Sequence, residues 1–277
     1  MNKLILWIPS WFCLLALTLV GCRTKPKEMK EVKTYVIYMG GQSNMVGQGN
    51  KKYLGDSIKL SPNVKFLDYS LDVSLKKSDY KFGPEYGMSQ VLTKSFPNSK
   101  FIFIKYAIGG ASLLDWAPEY SKEKAEITGH PEFGDMYGKF IQKIEKEVPE
   151  EDSFPLAFLW MQGERDAVVP DAGKEYEENL DHLIRSFRRD LNAEKLPFII
   201  GLIDPKPERY VLKDHVVHSQ KMIAKELPEV FTIETSDLSK MKDQVHYDSK
   251  GQMALGRRFG HQIEKILKKK EHKIISF

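Results

Sequence analysis

The chain has 277 residues, with 42 Lys and Arg against 38 Asp and Glu, a formal net charge of +4, and 42% hydrophobic residues. Much of that slight basic excess sits in Lys25, Lys27 and Lys30 and in the tail lysines Lys265, Lys268, Lys269 and Lys270, which read as solvated faces, so no nucleic-acid partner is indicated. Its only cysteines, Cys13 and Cys22, fall in the first 22 residues; the remainder has neither a disulfide nor a thiol nucleophile and must rely on its core.

In chain order, the opening MNKLILWIPSWFCLLALTLVGC places Lys3 before an apolar run from Leu4 to Val20, the form of an export signal. Leu19-Val20-Gly21-Cys22 resembles the bacterial lipobox, which implies a signal peptide over 1–22 and a lipidated Cys22. An uncleaved membrane anchor is the alternative, since the run is nearly long enough to span a bilayer. Either reading puts the chain in the cell envelope, exported and membrane-attached. Residues 23–33, RTKPKEMKEVK, form a polar tether, and 34–277 are expected to make one domain.

Within that domain, apolar β-prone runs at 35–39, 64–67, 101–106, 156–160 and 198–203 alternate with helical patterns at 84–95, 136–147, 174–191 and 215–226. A last helix is expected over 249–269, where Met253, Leu255, Phe259, Ile263 and Ile266 recur mostly at three- and four-residue spacing. Short, nearly continuous apolar strands separated by helices predict a three-layer α/β/α sandwich with a mostly parallel central sheet. In such folds the ligand site gathers at the carboxyl ends of the strands.

Three strand ends and one late turn carry polar groups. The first run ends in Gly40-Gly41-Gln42-Ser43-Asn44, where glycines permit a tight turn and Ser43 could present its hydroxyl. This is neither the G-x-S-x-G elbow nor a phosphate loop, and a plain glycine turn explains it nearly as well. The run FIFIKY leads into Gly109, Gly110, Ala111 and Ser112, whose N–H groups are candidate donors to a developing oxyanion. The run LAFLW leads into Gln162, Glu164 and Asp166: an uncharged double donor, and two carboxylates that could be ligands, loop anchors or a glycosidic acid pair. Near the C-terminus Asp243 and His246 are three apart, a reach that lets a carboxylate fix the histidine tautomer while the other ring nitrogen faces a serine. Together these residues supply nucleophile, oxyanion donors, base and orienter for acyl transfer. The other histidines show no H-E-x-x-H or other tight ligand cluster; His215 and His218 share a helix face as a weak metal pair at most, better read as surface or packing residues, and no cofactor is required.

This combination resembles the SGNH-hydrolase superfamily, specifically its sialate O-acetylesterase and acetylxylan esterase branch, carbohydrate esterase family 6, over about 34–268. The likeness rests on Gly41-Gln42-Ser43-Asn44-Met45, Gly109-Gly110-Ala111-Ser112, Trp160-Met161-Gln162-Gly163-Glu164-Arg165-Asp166, Asp243 with His246, and the segment FGPEYG at 82–87. It implies a flavodoxin-like SGNH fold and a serine esterase that removes O-acetyl groups from an oligo- or polysaccharide, with no obligatory protein partner. Ser43 would attack, His246 held by Asp243 would take its proton, and the Ser43 N–H, the N–H of Gly110 or Gly109 and the Gln162 amide would face the oxyanion. Glu164 is the alternative triad acid, or a group that holds the Ser43 and Gln162 loops. Met161 stands where the family often has histidine, a change expected to alter the pocket wall. Trp116, Tyr86, Tyr247 and the 112–130 loop are candidates to line a sugar site. The rivals are a glycosidase using Glu164 and Asp166, a carbohydrate-binding protein without activity, and an acyl transferase using the same residues.

Overall fold

The computed structural model describes residues 32–56, 58–148 and 153–275. The export segment, Cys22 and most of the tether therefore lie outside the described residues. In chain order the elements are β1 (Thr34–Gly41), α1 (Ser43–Val46), β2 (Gly49–Asn50), β3 (Val64–Asp68), β4 (Lys81–Phe82), α2 (Glu85–Ser95) and β5 (Lys100–Ala107). There follow α3 (Lys122–Thr128), α4 (Met136–Glu147), β6 (Ser153–Met161), α5 (Pro170–Lys174), α6 (Tyr176–Asp190), β7 (Phe198–Gly201), α7 (Lys213–Glu226), β8 (Val230–Ile233) and α8 (Ser249–Ile275).

Six strands form one all-parallel sheet in the order β3-β5-β1-β6-β7-β8, while β2 and β4 make a small antiparallel ladder. The central strands are apolar on both faces because helices cover both. On β6, Phe158 and Trp160 point to one face, where Phe158 meets Phe187 of α6 at 4.3 Å between ring centroids and Phe140 of α4 at 5.9 Å. Met161, one residue on from Trp160, points to the other face. There it borders Gly201 together with Phe259 of α8. Helices α2 and α8 cross closely on that side: a Cβ on Gly87 would sit 2.1 Å from the Met253 carbonyl oxygen, and one on Gly256 2.0 Å from that of Pro84. Only glycine allows that approach.

Strand register is what assembles the site. Gly41 of β1 pairs with Ala107 of β5 on one side and with Met161 of β6 on the other. The three central strands thus end level, and the segments beginning at Gln42, Ile108 and Gln162 leave the same edge side by side. After β1 the chain goes to β3 at one edge of the sheet; after β6 it goes to β7 on the opposite side. The connections diverge above β1 and β6, the place where open parallel sheets bind ligands.

The five expected strands and the main helices are present, with shifts at their ends. The pattern at 174–191 is α6, preceded by the short unexpected α5, and α8 extends to Ile275. Beyond the two-residue β2 and β4, one strand of the main sheet escaped the sequence reading: β8, VFTI, buries only Val230 and Ile233, because an edge strand needs no continuous apolar run.

Candidate active site

At the carboxyl end of β1, Gly41 adopts φ 151° with its Cα so near β6 that a Cβ would lie 2.2 Å from the Met161 carbonyl oxygen. The chain then turns into α1, whose first residue is Ser43. Ser43 is 8% exposed and lines a cleft of about 430 Å³ with His246, Gly109, Gly110 and Glu164. Its Oγ lies 2.9 Å from His246 Nε2. His246 Nδ1 lies 2.6 Å from Asp243 Oδ2. A serine, an imidazole and a carboxylate stand in line, assembled from positions 203 residues apart.

The Asp243–His246 turn is shaped by its own backbone. Asp243 Oδ1 accepts the N–H groups of Val245 at 2.9 Å and His246 at 3.0 Å, and Gln244 between them takes a left-handed φ of 56°. Burial works against ionising Asp243, but the hydrogen bonds from the His246 ring and from these backbone N–H groups outweigh it and hold the carboxyl below its usual range. A carboxylate so stabilised fixes the proton on Nδ1 and leaves Nε2 to accept from the serine.

Asn44, beside Ser43, ties this turn to the nucleophile loop. Its Nδ2 donates to the Val245 carbonyl at 3.2 Å and to Glu164 Oε1 at 2.8 Å, and its Oδ1 accepts the Tyr247 N–H at 3.1 Å. Both neighbours of His246 are therefore fastened to the residue after Ser43. The sequence reading quoted Asn44 without assigning it work; its signal was an amide next to the candidate serine.

The two glycines separate clearly. Gly109 N–H is committed to the Leu71 carbonyl at 3.1 Å. Among the described residues the N–H groups of Ser43 and Gly110 have no hydrogen-bond partner, and both residues line the cleft. Gly110 takes φ 84°, a conformation that suits glycine.

Gln162 is a correction. The expectation placed its amide at an oxyanion, but the side chain is 0% exposed and outside the cleft. Its Nε2 donates to the Ala111 carbonyl at 3.1 Å and to Asp166 Oδ2, so one N–H holds the Gly109–Ser112 segment from below and the other holds Asp166. Asp166 is equally enclosed and accepts the Leu113 N–H at 3.0 Å. Burial pushes its carboxyl up to about 7 despite those donors. A glycosidic pair of Glu164 and Asp166 is excluded by this placement, because only Glu164 reaches the cleft. Glu164 itself is not the partner of the histidine; Asp243 is. Burial holds the Glu164 carboxyl above the usual carboxylate range, partly offset by the Asn44 hydrogen bond.

Other expectations also move. Trp116 and Tyr247 belong to the core, and Tyr86 packs edge-on against Phe82 at 5.5 Å. Ser112 Oγ is taken up by Asp115 and Thr128. Met161 is fully buried between sheet and α8 rather than on the pocket wall. What does line the cleft is Lys81, Arg165, Arg209 and Tyr210. The Arg209 guanidinium stacks 5.0 Å from the Tyr210 ring centroid.

Behind the serine turn, Lys105 of β5 is 0% exposed. Its Nζ donates to the Val46 carbonyl at 2.9 Å and to Glu85 at 3.0 Å, with Asp68 at 3.3 Å. Glu85 in turn accepts the Gly83 N–H at 2.8 Å. This explains the FGPEYG segment: its glycine and glutamate brace the far end of α1. A lysine inside the apolar run FIFIKY was the available signal.

Fold and side chains together have the form of a Ser–His–Asp hydrolytic site on a parallel α/β sheet. The chain belongs to the family described as carbohydrate esterase, sialic acid-specific acetylesterase, whose model matches residues 33–265. It is 24% identical over 245 residues to a probable carbohydrate esterase of Arabidopsis thaliana, a match covering 80% of this chain and 86% of that one. The crystal structure of the plant protein aligns with a TM-score of 0.66 at 20% identity, over 83% of this chain and 98% of the other. A carbohydrate acetylesterase from Xanthomonas citri aligns with a TM-score of 0.60 at 15% identity, over 81% of this chain and 55% of the other. These structural likenesses bear on the fold: the three-layer α/β architecture is shared. Membership of the family makes the protein a carbohydrate O-deacetylase, a carboxylic ester hydrolase.

Proposed function

We propose that Ser43 is the nucleophile of this deacetylase and that its substrate is an acetylated sugar bearing a carboxylate. The observation that carries the first part is the file Ser43–His246–Asp243 opening on a cleft beside the unpartnered N–H groups of Ser43 and Gly110. His246 Nε2 takes the Ser43 proton as Oγ attacks the acetyl carbonyl. The charge that gathers on the carbonyl oxygen meets the Ser43 and Gly110 N–H groups. Protonated His246 then gives its proton to the departing sugar hydroxyl, and water, activated by the same imidazole, releases acetate.

The second part rests on charge. Lys81, Arg165 and Arg209 line the cleft, while its carboxyl, Glu164, is buried with a raised pKa. Arg165 is anchored through Nε and Nη2 on the Thr128 carbonyl; Arg209 is exposed. Such a surface suits a sialic or uronic acid better than neutral xylan. Acetate release from acetylated sialosides, acetylated pectin, acetylated xylan and an aryl acetate tests it. The acidic substrates should lead, and Arg209→Ala should cost about threefold to tenfold in kcat/KM on them, more than on the aryl acetate. Equal rates on xylan and sialosides would refute the acidic preference.

The same proposal sets the enzyme at a bacterial envelope membrane, held through a lipidated Cys22 with residues 23–33 as tether; the export-type segment and lipobox-like Leu19-Val20-Gly21-Cys22 support it. Cys22→Ser should leave the protein unlipidated, which labelled-palmitate incorporation reads directly. Label retained in that variant would refute lipidation at Cys22.

A further inference from the structure

Ser43 has one hydroxyl proton and two neighbours able to take it. Its Oγ lies 2.9 Å from His246 Nε2 and also donates to Gln42 Oε1. When the Gln42 oxygen holds the proton, the proton is turned away from the base that must remove it. Gln42 is 3% exposed, and its Nε2 has no hydrogen-bond partner among the described residues. The same is true of Glu164 Oε2. The amide and the carboxyl lie against each other, while Glu164 Oε1 is fixed by Asn44 at 2.8 Å. In this orientation the Gln42 N–H faces an acceptor oxygen of Glu164 directly behind the nucleophile, the arrangement that suits an ionised carboxylate.

Reversing the amide leaves the serine proton for His246. An amide side chain offers an oxygen at one end and N–H donors at the other. With Nε2 toward Ser43 and Oε1 toward Glu164, Gln42 donates to Oγ and the serine proton is left for His246. The Gln42 oxygen then needs a donor, which a protonated Glu164 supplies. The hydrogen bonds run in one direction: Glu164 Oε2–H to Gln42 Oε1, Gln42 Nε2–H to Ser43 Oγ, Ser43 Oγ–H to His246 Nε2, and His246 Nδ1–H to Asp243. An ionised Glu164 draws the Gln42 N–H to itself and turns the amide oxygen back onto the serine proton.

We infer that Gln42 and Glu164 are positioning residues for the proposed reaction, in which the proton on Glu164 sets the Gln42 amide so that Ser43 gives its own proton to His246. The inference rests on Ser43 being the nucleophile. Burial favours the protonated carboxyl, as its raised pKa indicates. The charged and titratable groups around it are His246 from the late turn, Tyr247 beside it, Tyr210 from the loop after β7 and Tyr176 from α6, and Lys81, Arg165 and Arg209 line the same cleft. The charge of a protonated His246 favours ionisation of Glu164. The sign follows: the productive state is present below the folded pKa of Glu164 and is lost as pH rises through it.

The test is the pH profile of kcat/KM on an aryl acetate for the full chain and for Glu164→Gln, Gln42→Met and Ser43→Ala, each checked by thermal melting. The wild type should fall on the alkaline side. Glu164→Gln, whose amide donates to Gln42 at any pH, should lack that fall. Gln42→Met, which keeps the length but not the donor, should lose at least about tenfold in kcat with KM little changed. Adding Glu164→Gln to it should cost nothing more, since the two act as one unit. The infrared difference between wild type and Glu164→Gln should show a carboxylic-acid band lost in the variant, over the band that the buried Asp166 contributes to both. An alkaline fall that persists in Glu164→Gln, or a folded but inactive Glu164→Gln, would overturn the inference. Hydrolysis by Ser43→Ala would instead overturn the nucleophile assignment, and the infrared band separates the two failures.

Discussion

Ser43→Ala is expected to abolish deacetylation, with kcat falling on the order of 10⁴- to 10⁶-fold. The hydroxyl contacts only the Gln42 amide and His246 among the described side chains, so the melting temperature should hardly change. Substrate binding should survive, because Arg209, Tyr210 and the Gly109–Gly110 turn are untouched. His246→Ala should cost a comparable amount, and the double variant should be no worse than either single one, since nucleophile and base work as a unit. Acetate release under substrate saturation measures all three. A Ser43→Ala protein within about a hundredfold of wild type would remove Ser43 from the chemistry. The rival carboxylate pair could not take its place, because Asp166 lies beneath the cleft with its oxygens committed to Leu113 and Gln162.

The largest effect on stability is expected from Lys105→Met, at about 3–5 kcal/mol. The substitution keeps the length of the side chain but leaves Glu85, 2% exposed, as an uncompensated buried carboxylate. It also orphans the Val46 carbonyl at the end of the serine turn. Burial alone would push the Lys105 ammonium toward neutrality; Asp68 and Glu85 more than reverse this, and its pKa is raised. By the sign of that shift, the stabilising contribution is fully present at neutral pH and fades only at strongly alkaline pH. Urea unfolding should show the midpoint falling with little change in slope. Pairing Lys105→Met with Glu85→Gln should recover part of the loss, because the stranded charge is removed. A loss below about 1 kcal/mol in the single variant would mean that the buried cluster is not what braces α1.

The cluster shows why some of this site could be seen before the fold and some could not. FIFIKY announces a buried strand carrying one lysine, yet nothing near it in sequence names a partner. Asp68 reaches it because β3 and β5 pair with Asp68 opposite Lys105, and Glu85 because α2 packs behind the sheet. Likewise, GGQSN and DQVH could each be recognised as short polar turns, but their meeting depends on a chain that returns to β1 after about 200 residues.

The sequence by itself determined the layered parallel architecture, because runs such as FIFIKY and LAFLW can be buried on both sides only between two layers of helices. It also put forward Ser43 and His246 with two candidate acids, and favoured Asp243 over Glu164 because three residues of turn bring a carboxylate to the adjacent ring nitrogen; the packed structure decided for Asp243. Tertiary structure alone decided which strand-end groups face the cleft. Gln162 and Glu164 are two residues apart and equally polar, but Gly163 between them takes φ 141°. That turn leaves Gln162 beneath the Gly109–Ser112 segment and Glu164 against Asn44 at the cleft floor. It also decided between Gly109 and Gly110, since Leu71, on the connection after β3, claims one N–H and leaves the other free. The physical reason is the same in both cases: composition says which groups can donate or accept, and only the packed backbone says which have already done so.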